Sequence, residues 1–219
     1  GEATVNSPLT FTPANWDTPQ TVTVTGADDG SVVDGDQTSL ITISIEDANS
    51  NDSFDAVVDQ TVSATTTDDD VAGFTVDQLD GSVEVDESGT TDTFTVVLDA
   101  QPTSDVLLSL SINDNSEASV SSSLTFTPIN WDSPQTVTVT GLDEETVDGI
   151  QTSTVTISVV DAVSNDSFDD VADQTVSVST TDDDVAGFTV VEFGGSTEVD
   201  ESGTTDIFTV VLDAQPTSD

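Results

Sequence analysis

Three adjacent aspartates occur twice in this chain within the same sequence, TTDDDVAGFTV, at residues 66–76 and 180–190. Neighbouring carboxylates repel one another when all are ionised, so a fold that holds them together gains from a bound cation. Ca²⁺ is the metal ion that most readily takes several carboxylate oxygens at once. Each triplet ends one β-rich segment and leads directly into a short apolar strand. We therefore predict a calcium-binding joint between two β-domains.

The charge balance excludes several classes of function. The 219 residues include 44 Asp and Glu but no Lys, Arg or His, which gives a formal net charge of -44. Nucleic acids and anionic membrane surfaces need basic patches, so neither is an expected partner, and no apolar run reaches membrane-spanning length. Cys and Tyr are also absent, so only carboxylates and hydroxyls remain for chemistry. We predict that the protein is not an enzyme.

Internal repetition defines the domain organisation. Val71-Ala-Gly-Phe recurs at Val185, 114 residues later, and the FTPANWD motif at Phe11 recurs as FTPINWD at Phe126, 115 residues later. The first copy therefore carries one extra residue between Gly26 and Val71. We assign residues 1–70 to the C-terminal part of one repeat, residues 71–184 to a complete repeat, and residues 185–219 to the first two strands of the next.

Alternating polar and β-branched residues predict an all-β fold for the repeat. A repeat of this length suits one immunoglobulin-like sandwich, so we expect tandem seven-stranded sandwiches stacked end to end. The first strand should be kinked near Asp80-Gly81. The predicted strands cover residues 73–85, 93–98, 106–112, 123–127, 136–141, 152–160 and 175–180.

Strand reversal in such a sandwich gathers acidic residues at one pole. The loops after the first, third and fifth strands and the tail after the last strand all end there, because the end of the first strand should run parallel to the last. We name this end the acidic pole. Its carboxylates favour Ca²⁺ over Mg²⁺, which keeps more waters, and over Zn²⁺, which prefers Cys and His. They are Asp86, Glu87, Asp114, Glu117, Asp143, Glu144, Glu145, Asp148, Asp182, Asp183 and Asp184.

Several motifs together resemble the Calx-β domain, the calcium-binding module of sodium–calcium exchangers and of many large bacterial surface proteins. The resemblance covers the complete repeat and the matching parts of both flanking repeats. It implies a calcium-binding sandwich. The motifs are VDESG at Val85, FTVVL at Phe94, LTFTPINW at Leu124, QTVTVTGLDEETVDG at Gln135 and TVSVSTTDDDVAGFTV at Thr175.

The same resemblance implies a set of calcium ligands. In that family the ligands are a glutamate after the first strand, an acidic loop between the fifth and sixth strands, and the terminal Asp triplet. The family also has an aspartate after the third strand, where this chain has Glu117 and, in the first part, Glu2. The loop lengths differ between copies, which leaves the choice between Asp34 and Asp36 open. The implied ligands are Glu87, Asp143, Glu144, Asp148, Asp182, Asp183 and Asp184 in the complete repeat, Asp28, Asp29, Asp34, Asp36, Asp68, Asp69 and Asp70 in the first part, and Glu201 in the last.

Tandem copies favour a structural function. We expect a calcium-stiffened spacer or fibre in a long bacterial adhesin or extracellular filament, secreted or attached to the cell surface. Its partners would be calcium ions and neighbouring repeats end to end, with lateral self-association left open. A calcium-sensing regulatory module is one alternative. A carbohydrate-binding module at Trp16 and Trp131 is another, although burial under a turn explains Trp131 more simply. A carboxylate-pair glycosidase would need a cleft with more aromatic residues than these two.

Overall fold

A computed structural model describes residues 1–218, so Asp219, the last residue of the predicted third part, lies outside the described residues. The chain is all-β, as predicted. Its helical segments within residues 1–218 are three short 3-10 turns, at Asp47–Asn49, Asp161–Val163 and Asp166–Phe168. None of the helices in this range is long and apolar enough to cross a membrane.

The strands follow the repeat pattern of the sequence. The first part contains β1 (Ala3–Val5), β2 (Val24–Gly26), β3 (Val32–Val33), β4 (Gln37–Ile43) and β5 (Gln60–Thr66). The complete repeat contains β6 (Phe74–Asp77), β7 (Val83–Asp86), β8 (Thr91–Leu98), β9 (Gln101–Pro102), β10 (Val106–Ile112), β11 (Ala118–Val120), β12 (Leu124–Phe126), β13 (Gln135–Gly141), β14 (Gln151–Val159) and β15 (Gln174–Thr181). The last part contains β16 (Phe188–Glu192) and β17 (Phe208–Leu212).

Two sheets of the complete repeat enclose its core. One has the order β12-β10-β14-β15-β7 and the other the order β11-β13-β8-β6. Every second residue is buried from Phe94 to the end of β8 and from Val137 to the end of β13, because side chains alternate between the two faces of a strand. Phe94 and Val139 are fully buried and lie in this core. The threonines between the buried valines of β13 are partly or fully exposed.

One predicted strand is divided between the two sheets, and one short strand was not predicted. The first breaks into β6 and β7, and Gly81, with φ +83, lies in the turn between them. The end of this strand, β7, pairs in parallel with β15, which confirms the predicted geometry at the acidic pole. The predicted strand at 123–127 contains β12, but a further strand, β11, pairs with β13 in the other sheet. Three residues are too few to show alternation, so sequence periodicity does not reveal β11.

The first and last parts repeat the pairings of the complete repeat. Gln37 pairs with Thr66 in the first part, and Gln151 pairs with Thr180 at the equivalent register. Likewise Phe188 pairs with Leu212 as Phe74 pairs with Leu98. Each flanking part therefore has the same strand pairing as the equivalent segment of the complete repeat.

Candidate metal centre

A buried glutamate lies at the centre of the acidic pole. Glu87 follows β7 in a tight turn, where Asp86 accepts a hydrogen bond from the Ser88 amide at 3.0 Å and its own amide donates to Thr90 Oγ1 at 2.8 Å. The Glu87 amide donates to the Thr181 carbonyl oxygen at 3.1 Å, which ties the turn to the end of β15. This turn directs the Glu87 side chain inward, where it is 0% exposed. Neither of its carboxylate oxygens accepts a hydrogen bond from any residue of the described chain.

A glycine lets the turn come this close to the neighbouring strand. Gly141, the last residue of β13, donates its amide to the Thr90 carbonyl oxygen at 3.0 Å. A Cβ at Gly141 would lie 2.0 Å from the carbonyl oxygen of Asp86, which is far inside van der Waals contact. The end of β13 and the Glu87 turn therefore pack backbone against backbone, and no larger residue fits there.

Glu87 belongs to two groups of three carboxylates. It groups with Glu117 and Glu144 on one side and with Asp182 and Asp184 on the other, and the oxygens of each group lie within 4.8 Å of one another. Glu117 precedes β11, Glu144 lies in the loop between β13 and β14, and the two aspartates follow β15. Three members of these groups and Asp148 have further buried oxygens without a hydrogen-bond partner in the described chain: Glu117 Oε2, Glu144 Oε1, Asp184 Oδ2 and Asp148 Oδ1. Each group could hold one divalent cation, and Glu87 would then contribute an oxygen to both.

The electrostatics of these groups favour a bound cation. Burial raises the pKa of Glu87 to about 7, and the nearby charges of Asp182, Glu117, Glu144 and Asp148 add to the effect. Burial also raises the pKa of Glu117, Glu144 and Asp184, again with further contributions from neighbouring carboxylates. The sequence contains no Lys, Arg or His that could compensate for these charges. A divalent cation would remove the repulsion that these pKa shifts reflect.

Asp182 has the opposite environment. Its carboxylate accepts hydrogen bonds from the amides of Asp148 at 3.0 Å, Gly149 at 2.8 Å and Asp184 at 2.8 Å. Backbone hydrogen bonds, led by that from Gly149, hold its pKa below the usual value. Asp182 thus fastens the loop between β13 and β14 to the tail after β15, and it keeps two groups of potential ligands in register.

The first part of the chain repeats this framework. Asp68 accepts hydrogen bonds from the amides of Asp34 at 3.0 Å, Gly35 at 2.7 Å and Asp70 at 2.9 Å. Asp34 is therefore the equivalent of Asp148. Asp36 instead accepts a hydrogen bond from the Asp68 amide at 3.2 Å and has Ile150 at its equivalent position.

A third group of carboxylates lies in the first part. Glu2, Asp29 and Asp34 have oxygens within 4.8 Å of one another. The Ala27 amide donates to the Glu2 carbonyl oxygen at 2.9 Å, just as the Leu142 amide donates to that of Glu117 at 2.9 Å. Glu2 and Glu117 thus have equivalent positions. The Calx-β domains that the sequence resembles have an aspartate at this position. For Glu117 the signal in the sequence is the convergence of three acidic loops at one pole.

Several predicted ligands lie outside these groups of three carboxylates. Asp183 and Asp69, the middle residues of the two triplets, are exposed, and so are Asp28 and Asp143. Asp143 is nevertheless close enough to Asp184 to contribute to its raised pKa. Glu201, the equivalent of Glu87, is exposed and joins no such group within residues 1–218.

Comparison with known proteins gives limited likeness. No protein-family model matches the chain, and no curated protein does. Domains 4 and 5 of the S-layer protein SbsC share 23% identity over 56% of this chain and 59% of theirs, with a TM-score of 0.36. The apo-form CBD1 domain of Calx shares 15% identity over 52% of this chain and 100% of its own, with a TM-score of 0.39. CBD12 from CALX1.2 shares 12% identity over 63% of this chain and 68% of its own, with a TM-score of 0.37.

The identities, coverages and TM-scores decide how much the comparison can support. The chain spans less than two thirds of the length of the SbsC fragment. At such identities and TM-scores the likenesses carry no argument about family or function. The functional argument therefore depends on the geometry of the acidic pole.

Proposed function

We propose that the acidic pole binds Ca²⁺ and that the chain is a calcium-stiffened structural unit of a long secreted or surface-attached protein. One observation carries this proposal. Glu87 is fully buried, its two oxygens accept no hydrogen bond from the described chain, and it lies in both groups of three carboxylates. Burying an ionised carboxylate without a partner is costly, and a metal ion bound by its oxygens removes that cost.

The donor atoms support calcium rather than another metal. All of the converging side-chain donors are carboxylate oxygens, whereas Zn²⁺ sites use Cys or His, both absent from the sequence. Mg²⁺ binds few carboxylates and keeps several waters, which a crowded and partly buried group disfavours. Glu87, Glu117, Glu144 and Asp148 would surround one ion, and Glu87, Asp182 and Asp184 the other. Asp143 lies near the second.

The repetition of the site supports a structural role. The Asp68 and Asp182 frameworks match bond for bond in consecutive repeats, as expected for a unit that serves every joint of an array. Between β15 and β16 only six residues, 182–187, separate one repeat from the next, and three of these are the triplet aspartates. Seven-stranded sandwiches stacked end to end, each fixed to the next by calcium, would form a stiff spacer or fibre. The extracellular or cell-surface location belongs to the same proposal.

The environment of Trp131 does not favour the carbohydrate-binding alternative, whereas Trp16 is 72% exposed. Trp131 is partly buried against the hydrophobic core, and its carbonyl oxygen accepts a hydrogen bond from the Leu98 amide at 3.2 Å. Its contacts are those of a packing residue below a turn.

Calcium titration and thermal unfolding test the proposal. A ligand at one hundred times its dissociation constant adds about 2.7 kcal/mol to the unfolding free energy, which corresponds to a rise in melting temperature of about 10 °C for a domain of this size. We expect at least this rise between metal-free buffer and millimolar Ca²⁺. Calorimetry should detect binding with the same additions.

Two equivalent glutamates provide the matched variants. Glu87→Gln should abolish or greatly weaken binding in the complete repeat, because both groups lose their shared ligand. Glu201→Gln makes the same change at an exposed position and should leave the titration of this chain unchanged. Identical melting curves with and without Ca²⁺, or unchanged binding by Glu87→Gln, would refute the proposal.

A further inference from the structure

Consecutive repeats touch through a short backbone bridge at the first joint. The loop between β2 and β4, which carries Asp29 and Asp34, also contains β3, and β3 pairs in parallel with β9 of the complete repeat. Val32 lies opposite Gln101 and Val33 opposite Pro102. The Gln101 amide donates to the Ser31 carbonyl oxygen at 2.6 Å. A loop of one repeat thus forms a two-residue sheet with the next.

The second joint contains the same bridge. Thr146 lies opposite Gln215 in parallel register. The Gln215 amide donates to the Glu145 carbonyl oxygen at 2.6 Å, and the Val147 amide donates to the Gln215 carbonyl oxygen at 3.1 Å. Gln215 is the repeat equivalent of Gln101, and Thr146 that of Val32, so the register is identical at both joints.

The register survives a difference in loop length. The first loop has one more residue than the second. Gly30, with φ +95, takes up this residue in a turn closed by a hydrogen bond from its amide to Asp28 Oδ1 at 2.8 Å. The extra residue is therefore accommodated before the bridge. The two loops also differ in side chains along the bridge, Ser31-Val32 against Glu145-Thr146, as expected when backbone groups make the contact.

A valine fixes the bridge in place. Val33 is 7% exposed and belongs to the same buried cluster as Leu98 and Ala100 of the complete repeat. Its equivalent, Val147, lines a cavity with Leu212, Ala214 and Pro216 at the second joint. Pro102 is buried as well, and because proline has no amide hydrogen, the bridge ends there.

We propose that this outer edge of the loop is the docking edge through which each repeat recognises the following copy of itself. It consists of residues 31–33 and 145–147, and its partner is the turn at Gln101–Pro102 or the equivalent turn at 215–216. The backbone bridge sets the register, and the valine fills an apolar recess at the pole of the next repeat. Backbone pairing tolerates changes in side chains, so one edge can serve every joint of the array.

The position of the docking edge couples it to the acidic pole. Glu144 and Asp148 flank residues 145–147 in the sequence, and both have unpartnered oxygens that belong to the acidic pole. A cation that binds both would fix the two ends of the docking edge. This coupling depends on the proposed function, whereas the docking edge itself depends on contacts that involve no metal.

Distance measurements between repeats test the docking edge. The chain has no cysteine, so Ser63→Cys and Ser177→Cys, two exposed and equivalent positions in consecutive repeats, can be spin-labelled in the full chain. Pulse EPR in Ca²⁺ should give one narrow distance distribution. Val33→Ser should make the distribution roughly twofold broader, because a short tether without the docking contact leaves the two repeats free to hinge.

Two matched controls isolate the cause. Val58→Ser changes a valine that is 77% exposed and should leave the width unchanged. Gln101→Pro removes the bridging amide and should broaden the distribution more than Gln101→Ala, which keeps it. Equal widths for Val33→Ser and Val58→Ser would overturn the docking edge.

Calcium titration of the same samples separates the two proposals. Widths that respond to Val33→Ser in a chain that binds no Ca²⁺ would support the docking edge and refute the proposed function. If the distance distribution broadens on calcium removal but does not broaden in Val33→Ser or Gln101→Pro, the result would support calcium stiffening and refute the docking edge.

Discussion

The first part of the chain and the complete repeat have the same acidic framework, but residues 1–70 contain no counterpart of β6–β8, so a buried glutamate joins the framework in the complete repeat alone. Asp68 and Asp182 accept the same three amide hydrogen bonds, and Glu2 and Glu117 approach their loops in the same way. Glu87 then joins the complete repeat's acids into two groups that share a carboxylate. The framework arises from the loops and the Asp triplet, whereas the carboxylate that the two groups share arises from the turn after β7.

The glycines at the end of the equivalent strands show the same contrast. A Cβ added at Gly141 would lie 2.0 Å from the carbonyl oxygen of Asp86. A Cβ at its equivalent, Gly26, would meet its nearest neighbour, Thr66 Cγ2, at an ordinary 3.5 Å. The need for glycine is therefore created by the Glu87 turn, and not by the strand.

The largest expected effect comes from adding one methyl group at these positions. Gly141→Ala would force the Glu87 turn away from β13 and should lower the unfolding free energy of the complete repeat by about 1–3 kcal/mol. Its calcium affinity should fall at the same time, because Glu87 moves with the turn. Gly26→Ala meets no such contact and should change the stability by less than about 0.5 kcal/mol.

Tryptophan fluorescence can follow the complete repeat alone. In a Trp16→Phe background, Trp131 is the remaining tryptophan and reports the unfolding of the repeat that contains Gly141. In a Trp131→Phe background, Trp16 reports the unfolding of the part that contains Gly26. Equal stability of Gly141→Ala and Gly26→Ala would contradict the packing of the turn against β13.

Sequence reasoning could predict the pole but not the inner arrangement of the ligands. Alternation in β8, β13 and β14 is long enough to indicate strands, and strand reversal then brings the acidic loops together. The triplet itself shows the limit. Asp182 and Asp184 are half-buried and Asp183 is exposed, a difference that three identical letters cannot express.

The burial of Glu87 was equally hidden. It depends on an approach of the turn to Gly141, 54 residues away in the sequence, and on no local pattern. The bridge between repeats was hidden for the same reason, because backbone atoms make it and side chains at two of its positions differ between the joints.

A smaller effect is expected from neutralising single residues of the triplet. Asp182→Asn replaces an acceptor of three amide hydrogen bonds with a group that carries two N–H donors, so it should loosen the loop from the tail and lower both melting temperature and calcium affinity. Asp183→Asn alters an exposed side chain outside the groups of three carboxylates and should change both much less. Calorimetry and melting curves of the two variants provide the comparison. A larger loss for Asp183→Asn would show that the exposed carboxylate is the ligand.

The effect most specific to the complete repeat is the pH dependence that Glu87 adds. Its carboxyl has a pKa of 4.5 in its ordinary state and about 7 in the folded chain, where burial and then the charge of Asp182 raise it. Between these values the folded chain binds a proton that the unfolded chain does not, so in metal-free buffer the unfolding free energy should fall as pH rises from about 5 and level off above 7. Ca²⁺ competes with that proton, so calcium affinity should rise over the same interval.

Denaturant unfolding of the Trp16→Phe chain at pH 5, 6, 7 and 8, with and without Ca²⁺, measures both trends, and Glu87→Gln should remove most of each. Metal-free stability that stayed constant or increased from pH 5 to 7 would mean that the folded chain does not bind this proton at Glu87, and the buried carboxylate would then have a compensating partner other than calcium.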